Sequence, residues 1–357
     1  VSHGPSPAQQ PHDPDGVFPV SPLLIIPSAV GGFSIYLRLD GNLILYARKG
    51  ERFTDRHRTR LHELGVRRLF VKSEERGGYE NYLQEHLGSI LDDESIPLSG
   101  RVQVWYEATL GLVRDVFEHK LPRPLGARRF EKVRCLVRTT LDLLSRQEAV
   151  REMARFLTRG FSVYSHGIGT MVLTACVLQG CEDVDDELLE ACAMGALLHD
   201  IGKTRLPREV AQKNLEALSA AELELYRSHP ALGVAMCSGV SLPPAALHCM
   251  LMHHERVNGS GYPGGAQASD IPRHVAVLSV CDMYDNYTRA GAYGPALSPF
   301  EALSRLQCAR GLYDTDAIKR LILVLADARV VEAGGEPAGE SAAEPSEKRE
   351  GSAPGGR

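Results

Sequence analysis

The apolar positions of this chain change period once. From Phe33 to Lys72 they come in short alternating runs: FSIYLRL (Phe33–Leu39), LILYA (Leu43–Ala47) and VRRLFVK (Val66–Lys72). That alternation predicts strands, the first two joined by a hairpin turn at Asp40-Gly41-Asn42. Thr54 is a suitable N-cap for a helix running to Leu64, where Gly65 stops it. The outcome is a small α+β unit in ββαβ order. From Tyr79 the apolar spacing lengthens to three and four residues. Helices are predicted over Tyr79–Leu91, Val102–His119 and Leu125–Ser145, with Pro97 and Pro122-Arg123-Pro124 as punctuation. Phe130, Val133, Val137, Leu141 and Leu144 form one apolar stripe, as in a connector packed on the next domain or, alternatively, a dimerising helix pair. From Ala149 to Ala333 the chain reads as helix after helix. The fold class is mainly α, divided as a disordered arm at 1–21, the α+β domain at 22–95, connector helices at 96–147, a helical domain at 148–333 and a disordered tail at 334–357. The arm carries five prolines and the tail is low in complexity.

Two polar residues interrupt the apolar pattern where it is strongest. In LHDIGK (Leu198–Lys203), His199 continues the stripe Leu188, Cys192, Gly195, and Asp200 continues the neighbouring stripe Leu189, Ala193, Ala196. Both therefore point towards a core. A buried aspartate needs a cation, either a side chain or a metal, and histidine beside carboxylate is a natural start to a metal site. Seven of the thirteen histidines lie between 166 and 274. His229 sits in YRSHPALG, and His253-His254 ends the run AALHCMLMHH. Asp282 interrupts the apolar AVLSVCDMYDNYT, with Asp285 three residues on. Adjacent residues on a helix point about 100° apart, so the pairs His199-Asp200 and His253-His254 suit two ions better than one, with the Asp200 carboxylate able to bridge them. Mixed imidazole and carboxylate donors fit Fe, Mn or Zn better than Ca or Mg. His166 joins this set; His248 and His274 read as ordinary core histidines. GSGYPGG reads equally as a plain turn and as a loop that lets a ligand approach the backbone.

Composition changes this picture little. The 357 residues are 43% hydrophobic and 24% charged, with a net charge of −5, which leaves no basic footprint for nucleic acid. No apolar run reaches the length of a membrane span. The opening VSHGPSPAQQPHDPDG lacks the basic-then-apolar order of a signal peptide. The eight cysteines are scattered without a C-x-x-C pair, as expected of a cytoplasmic protein.

HDIGK, the HP of RSHP, HHE, GSGYP, Ile271-Pro272 and the CDxxD run together resemble an HD-GYP domain, over roughly residues 148–330. Residues 33–91 resemble, more weakly, the small N-terminal domain that often precedes it in bacteria. The family comprises HD-superfamily phosphodiesterases of the second messenger cyclic di-GMP. The resemblance implies metal ligands at His166, His199, Asp200, His229, His253, His254 and Asp282. It places Lys203 on a phosphate, Gly261, Tyr262 and Pro263 in a loop beside the substrate, and Asp285 behind the ligands or on the substrate. It further implies two divalent ions, Fe or Mn before Zn, and hydrolysis by a bridging hydroxide to pGpG or GMP, with Asp200 and Lys203 at the chemistry. Signalling partners at the GYP loop and a homodimer through the connector helices are the partner expectations.

The chain departs from the family at three places. Ser162 stands where some members carry a glutamate for a third metal, so two ions are expected. Val257-Asn258 replaces the usual Trp-Asp after HHER, and Ala290–Gly294 replaces Asp-Arg-Pro-Tyr-Arg. Arg289 and Arg256 are the candidates to supply the missing positive charge to substrate. The alternatives are thus a phosphohydrolase of another nucleotide or cyclic dinucleotide, and a module that holds metal but only binds.

Overall fold

The computed structural model describes residues 16–22, 25–118, 125–146, 148–157, 163–309 and 311–330. The tail expected at 334–357, the first fifteen residues of the expected arm, and Ser162 lie outside them.

The first layer is an antiparallel four-stranded sheet in the order β1 (Val17–Val20), β4 (Leu69–Lys72), β2 (Ile35–Leu39), β3 (Asn42–Ala47). Strand β1 corrects the sequence reading, which gave residues up to 21 to a disordered arm. Its Pro19 pairs opposite Phe70 and cannot donate to a ladder, but β1 is an edge strand, where proline is tolerated. Asp40 (φ 50°) and Gly41 (φ 82°) form the two-residue turn between β2 and β3, with positive φ at both positions as a type I′ turn requires. Helix α1 (Asp55–Glu63) starts at Thr54, whose side chain closes a capping box with His57. Ile35, Leu69 and Val71 turn their fully buried side chains to the face covered by α2 (Arg76–Asp92). Phe33 meets Tyr79 and Tyr82 of α2 edge to face, each at 5.3 Å.

Helices α3 (Leu98–Glu118) and α4 (Ala127–Leu144) link this layer to the rest. The α4 stripe is covered within the chain: Phe130, Val133, Val137 and Leu144 are buried and Leu141 is partly so. That is the packed-connector reading, and it leaves the stripe closed to a second copy. The fully buried Trp105 on α3 donates its indole N–H to Thr140 Oγ1 on α4 at 2.8 Å.

The helical body comprises α5 (Ala149–Leu157), α6 (Val163–Gln179), α7 (Asp186–Leu198), α8 (Arg208–Ala211), α9 (Ala220–Arg227), α10 (His229–Met236), α11 (Pro244–Met252), α12 (Arg273–Tyr287), α13 (Pro299–Cys308) and α14 (Thr315–Asp327). Helix α7 lies between α6 and α11, and α6 also packs on α12. One continuous apolar core runs from Val20 of the sheet to Leu325 of α14. Among the described residues, no helix is long and apolar enough to cross a membrane.

Candidate metal centre

The ends of four helices and the middle of a fifth meet at one buried point. Helix α7 stops at Leu198, so His199 and Asp200 fall where it turns into a 3-10 segment, Ile201–Arg205. Helix α11 stops just before His253-His254, and His229 opens α10. His166 comes from the first turn of α6 and Asp282 from mid-α12. All seven residues are buried, none more than 3% exposed. Gly202 allows this convergence: a Cβ there would run into the His229 carbonyl and lie 2.6 Å from the Gly233 nitrogen.

The orientation of the rings carries the chemistry. His199 Nδ1 donates to the Ala196 carbonyl at 2.7 Å, His229 Nδ1 to the Tyr226 carbonyl at 2.7 Å, and His253 Nδ1 to the Met250 carbonyl at 2.9 Å. A carbonyl only accepts, so each Nδ1 holds a hydrogen and each ring, in its neutral form, turns the lone pair of Nε2 into the centre. His166 is held likewise, its Nδ1 2.7 Å from Asp285 Oδ2. Asp200 lies between two groups of nitrogens. Its Oδ2 is 3.6 Å from His166 Nε2 and 3.5 Å from His199 Nε2; its Oδ1 is 3.3 Å from His229 Nε2 and 3.8 Å from His253 Nε2. Asp282 Oδ1 is 3.0 Å from His166 Nε2 and 3.4 Å from His199 Nε2.

Several of these atoms have no hydrogen-bond partner among the described residues: His166 Nε2, His199 Nε2, Asp200 Oδ1, His254 Nε2 and Asp282 Oδ2. Each buried orphan costs about 1–3 kcal/mol, so five in one pocket need a common partner. His229 Nε2 and His253 Nε2 lie 3.2 Å apart. With both Nδ1 atoms protonated, two lone pairs face each other at that distance. A cation resolves the conflict, and the donor set of imidazoles and carboxylates fits a divalent transition metal. Asp200, His229, His253 and His254 make one cluster that could hold an ion; His166, His199 and Asp200 make another.

The electrostatics agree. Burial drives the His253 and His254 pKa values well below the usual range, assisted by the neighbouring imidazoles, so both stay neutral and able to coordinate. Burial also lowers His229. For His199 burial pulls downward too, but the Asp200 and Asp282 carboxylates outweigh it and push the pKa up to about 10; without a cation this ring takes a second proton, which a metal must displace to bind. Asp200 and Asp282 are held well below the usual carboxylate range; burial opposes this, and it is overcome by Lys203 and His199 at Asp200 and by His166 and His199 at Asp282.

The other expected site residues divide. Lys203 Nζ pairs with Asp200 Oδ2 at 2.6 Å and sits at the rim. Gly261 packs against the backbone of His254 to Arg256, and the Tyr262 ring stacks on His254 at 4.6 Å. Tyr262-Pro263 is a cis peptide. Glu255, which the sequence reading passed over, straps this loop down by accepting from the amides of Gly264 (2.6 Å) and Ala266 (2.9 Å). Asp285 stands behind the ligands, on His166. Arg289 is placed differently from the sequence expectation. It is 3% exposed, binds Asp285 through Nε at 2.5 Å and Nη2 at 3.0 Å, and reaches Ser165. It supports Asp285 from a buried position. Arg256 is engaged as well, with Ser279 Oγ at 2.7 Å and the Tyr313 ring. Two tyrosines were missed. Tyr226 is buried one turn before His229, its ring 5.2 Å from Lys203 Nζ and its hydroxyl without a hydrogen-bond partner among the described residues. Tyr293, within the altered 290–294 loop, lies close enough to Lys203 for their charges to interact.

The comparison with known proteins decides the family: residues 137–317 match the HD domain family. The chain belongs to it. The match begins within α4, upstream of the expected boundary at 148. The chain is similar to the cyclic di-GMP phosphodiesterase PA4108 of Pseudomonas aeruginosa, 29% identical over 184 residues that make 51% of this chain and 44% of that one. It is also similar to the cyclic di-GMP phosphodiesterase response regulator RpfG of Xanthomonas campestris pv. campestris, 33% identical over 39% of this chain and 37% of that one. A 3'3'-cGAMP-specific phosphodiesterase 2 of Vibrio cholerae matches at 27% identity over 35% of this chain and 24% of its own length. The matched stretches are less than half the length of each of these relatives. Among solved structures, Bd1817, an HDG"Y"P protein of Bdellovibrio bacteriovorus, superposes with a TM-score of 0.62 at 20% identity, covering 87% of this chain and 99% of that one. The HD-GYP resemblance read from the motifs and the mainly α fold are both borne out.

Proposed function

We propose that this chain is a metal-dependent phosphodiesterase that hydrolyses cyclic di-GMP to pGpG or GMP. The observation that carries the reading is Asp200, one carboxylate between two sets of inward-facing imidazole nitrogens. His166, His199, Asp282 and one Asp200 oxygen would hold one divalent ion; His229, His253, His254 and the other oxygen would hold a second. Iron or manganese suits these donors best, with zinc next. Bound there, two divalent ions activate water and neutralise charge on a phosphodiester. Lys203 would bind a phosphate oxygen on exchanging its Asp200 contact for substrate, and the Tyr262 loop would flank the base or ribose. The relatives named cyclic di-GMP phosphodiesterases support the substrate class. The eight free thiols suit a reducing compartment, the cytoplasm. One observation favours a second reading, another cyclic dinucleotide. Arg289 is turned inward and the 290–294 loop carries no arginine, which removes positive charge that would grip the substrate phosphates.

The test is turnover by metal-replete, full-length protein of cyclic di-GMP and 3'3'-cGAMP, assayed in parallel. Linear product from cyclic di-GMP, reduced on the order of 10³-fold or more by His199→Ala, is the expected result. Preference for 3'3'-cGAMP would move the assignment to the second reading. Failure to cleave any cyclic dinucleotide with both metals bound would refute the enzymatic one.

A further inference from the structure

Three of the ligand-bearing helices carry a second cluster of donors away from the centre. Cys192 on α7, Cys249 on α11 and His274 on α12 place one ligand atom each within 4.8 Å of one another. Both cysteines are fully buried, and His274 is half-buried. Gly195 brings the two cysteines together: a Cβ there would lie 2.6 Å from Cys249 Cβ and 2.7 Å from the Ala246 carbonyl, so only glycine lets α7 and α11 touch. His274 Nε2 is closed to solvent and has no hydrogen-bond partner among the described residues. The outer face of its ring is covered by His248, stacked at 5.9 Å and 20°. A plain core would leave this nitrogen bonded or replaced by carbon, since an orphan costs about 1–3 kcal/mol.

The geometry points to a second, separate metal site in which Cys192, Cys249 and His274 hold a thiophilic ion of the zinc class, with a fourth position left for an exogenous ligand. Two sulfurs and one imidazole select zinc over the oxygen-seeking ions, and three protein ligands with one open position is a coordination that zinc adopts. The cluster shares no residue with the first centre, whose donors are nitrogen and oxygen. It is nonetheless tied to it. Cys192 precedes His199 by seven residues, Cys249 precedes His253 by four, and His274 precedes Asp282 by eight, or about 10, 6 and 12 Å along the three helices. An ion there clamps α7, α11 and α12 together one to two turns from the ligands they deliver. Binding releases the thiol protons of both cysteines, and no oxidant is involved.

The experiment is cobalt titration of reduced, metal-stripped, full-length protein, read by the sulfur-to-cobalt charge-transfer absorption that nitrogen and oxygen ligands do not produce. The expected result is a band that reaches the intensity of one cysteine-bound cobalt per chain within three added equivalents, two of them taken up by the first centre, is bleached by zinc, and survives in His199→Ala, which damages the first centre alone. It should vanish in Cys249→Ser and weaken by at least about tenfold in affinity in His274→Ala. Because Cys249→Ser alters a packed core, the half-buried His274→Ala, checked for native circular dichroism, decides if the serine variant does not fold. A wild-type protein without the band, or a band with unchanged affinity in His274→Ala, would overturn the site. Neither readout uses turnover, so the result stands apart from the proposed phosphodiesterase activity.

Discussion

At the scale of single residues, the centre depends on groups that never reach a substrate. His166 is aimed by Asp285, and Asp285 is in turn neutralised by Arg289, just past the C-terminal end of α12. Asp285→Asn keeps the shape but removes the charge that holds the Nδ1 hydrogen. Metal affinity on the His166–His199 side should fall about 10–100-fold, while the His229–His253–His254 side keeps its ion, as metal titration of the variant would reveal. Equal loss on both sides would mean that Asp285 supports the whole pocket rather than one ring. The seven clustered side chains were legible because they interrupt apolar stripes or fall in short contiguous motifs. Arg289 was misread for a physical reason. Its spacing of four from Asp285 marks a pair on one helix face, but whether that face is wet or buried depends on α6, whose Ser165 covers it and is remote in sequence. Tyr226 was invisible for the same cause: nothing local distinguishes an exposed tyrosine from one folded back over Lys203.

At the scale of elements, the helix ends matter more than the helices. The 3-10 turn after α7 lies against α10 so closely that Gly202 has no room for a methyl group. Gly202→Ala should therefore cost about 1–3 kcal/mol and, by pushing His229 away from Asp200, lower metal affinity along with stability; a chemical denaturation curve with and without metal measures both. Helix α9, which carries Tyr226 and leads into His229, begins with a capping box between Ser219 and Glu222, reinforced by Lys213 at 2.9 Å. Hydrogen bonds from Ser219 and the Lys213 contact pull the Glu222 pKa down to about 2. A carboxylate lowered in the folded state stabilises it at pH values above its unfolded pKa, and that benefit fades as the pH falls towards the folded value. Glu222→Gln should accordingly melt below the parent protein at neutral pH, with the gap closing as the pH drops from 4.5 towards 2. A gap independent of pH would assign the effect to packing. Strand β1 was the element hidden from the sequence, because a proline-rich stretch reads as unstructured until a partner, β4, offers it an edge.

At the scale of the whole molecule, one apolar core joins the sheet to the helices that deliver the ligands. The period change near Tyr79 marks where strands give way to helices, yet it could not reveal that α3 and α4 fuse the sheet to the helical body, since that depends on contacts such as Trp105 with Thr140. Continuity has a thermodynamic consequence. Ligands from α6, α10 and α12 and from the ends of α7 and α11 are drawn together at a point that, without a cation, leaves five buried polar atoms orphaned. A bound ion at a hundred times its dissociation constant stabilises the folded state by about 2.7 kcal/mol, and in a continuous core that gain belongs to the whole chain. Trp105, the single tryptophan, is fully buried where α3 meets α4. Removing metal with a chelator should lower the melting temperature followed by Trp105 fluorescence by the same amount as that followed by far-ultraviolet circular dichroism. If the fluorescence transition stayed in place while the helical signal moved, the sheet with α2 to α4 would unfold on its own, and the packed core between them would contribute little to cooperativity.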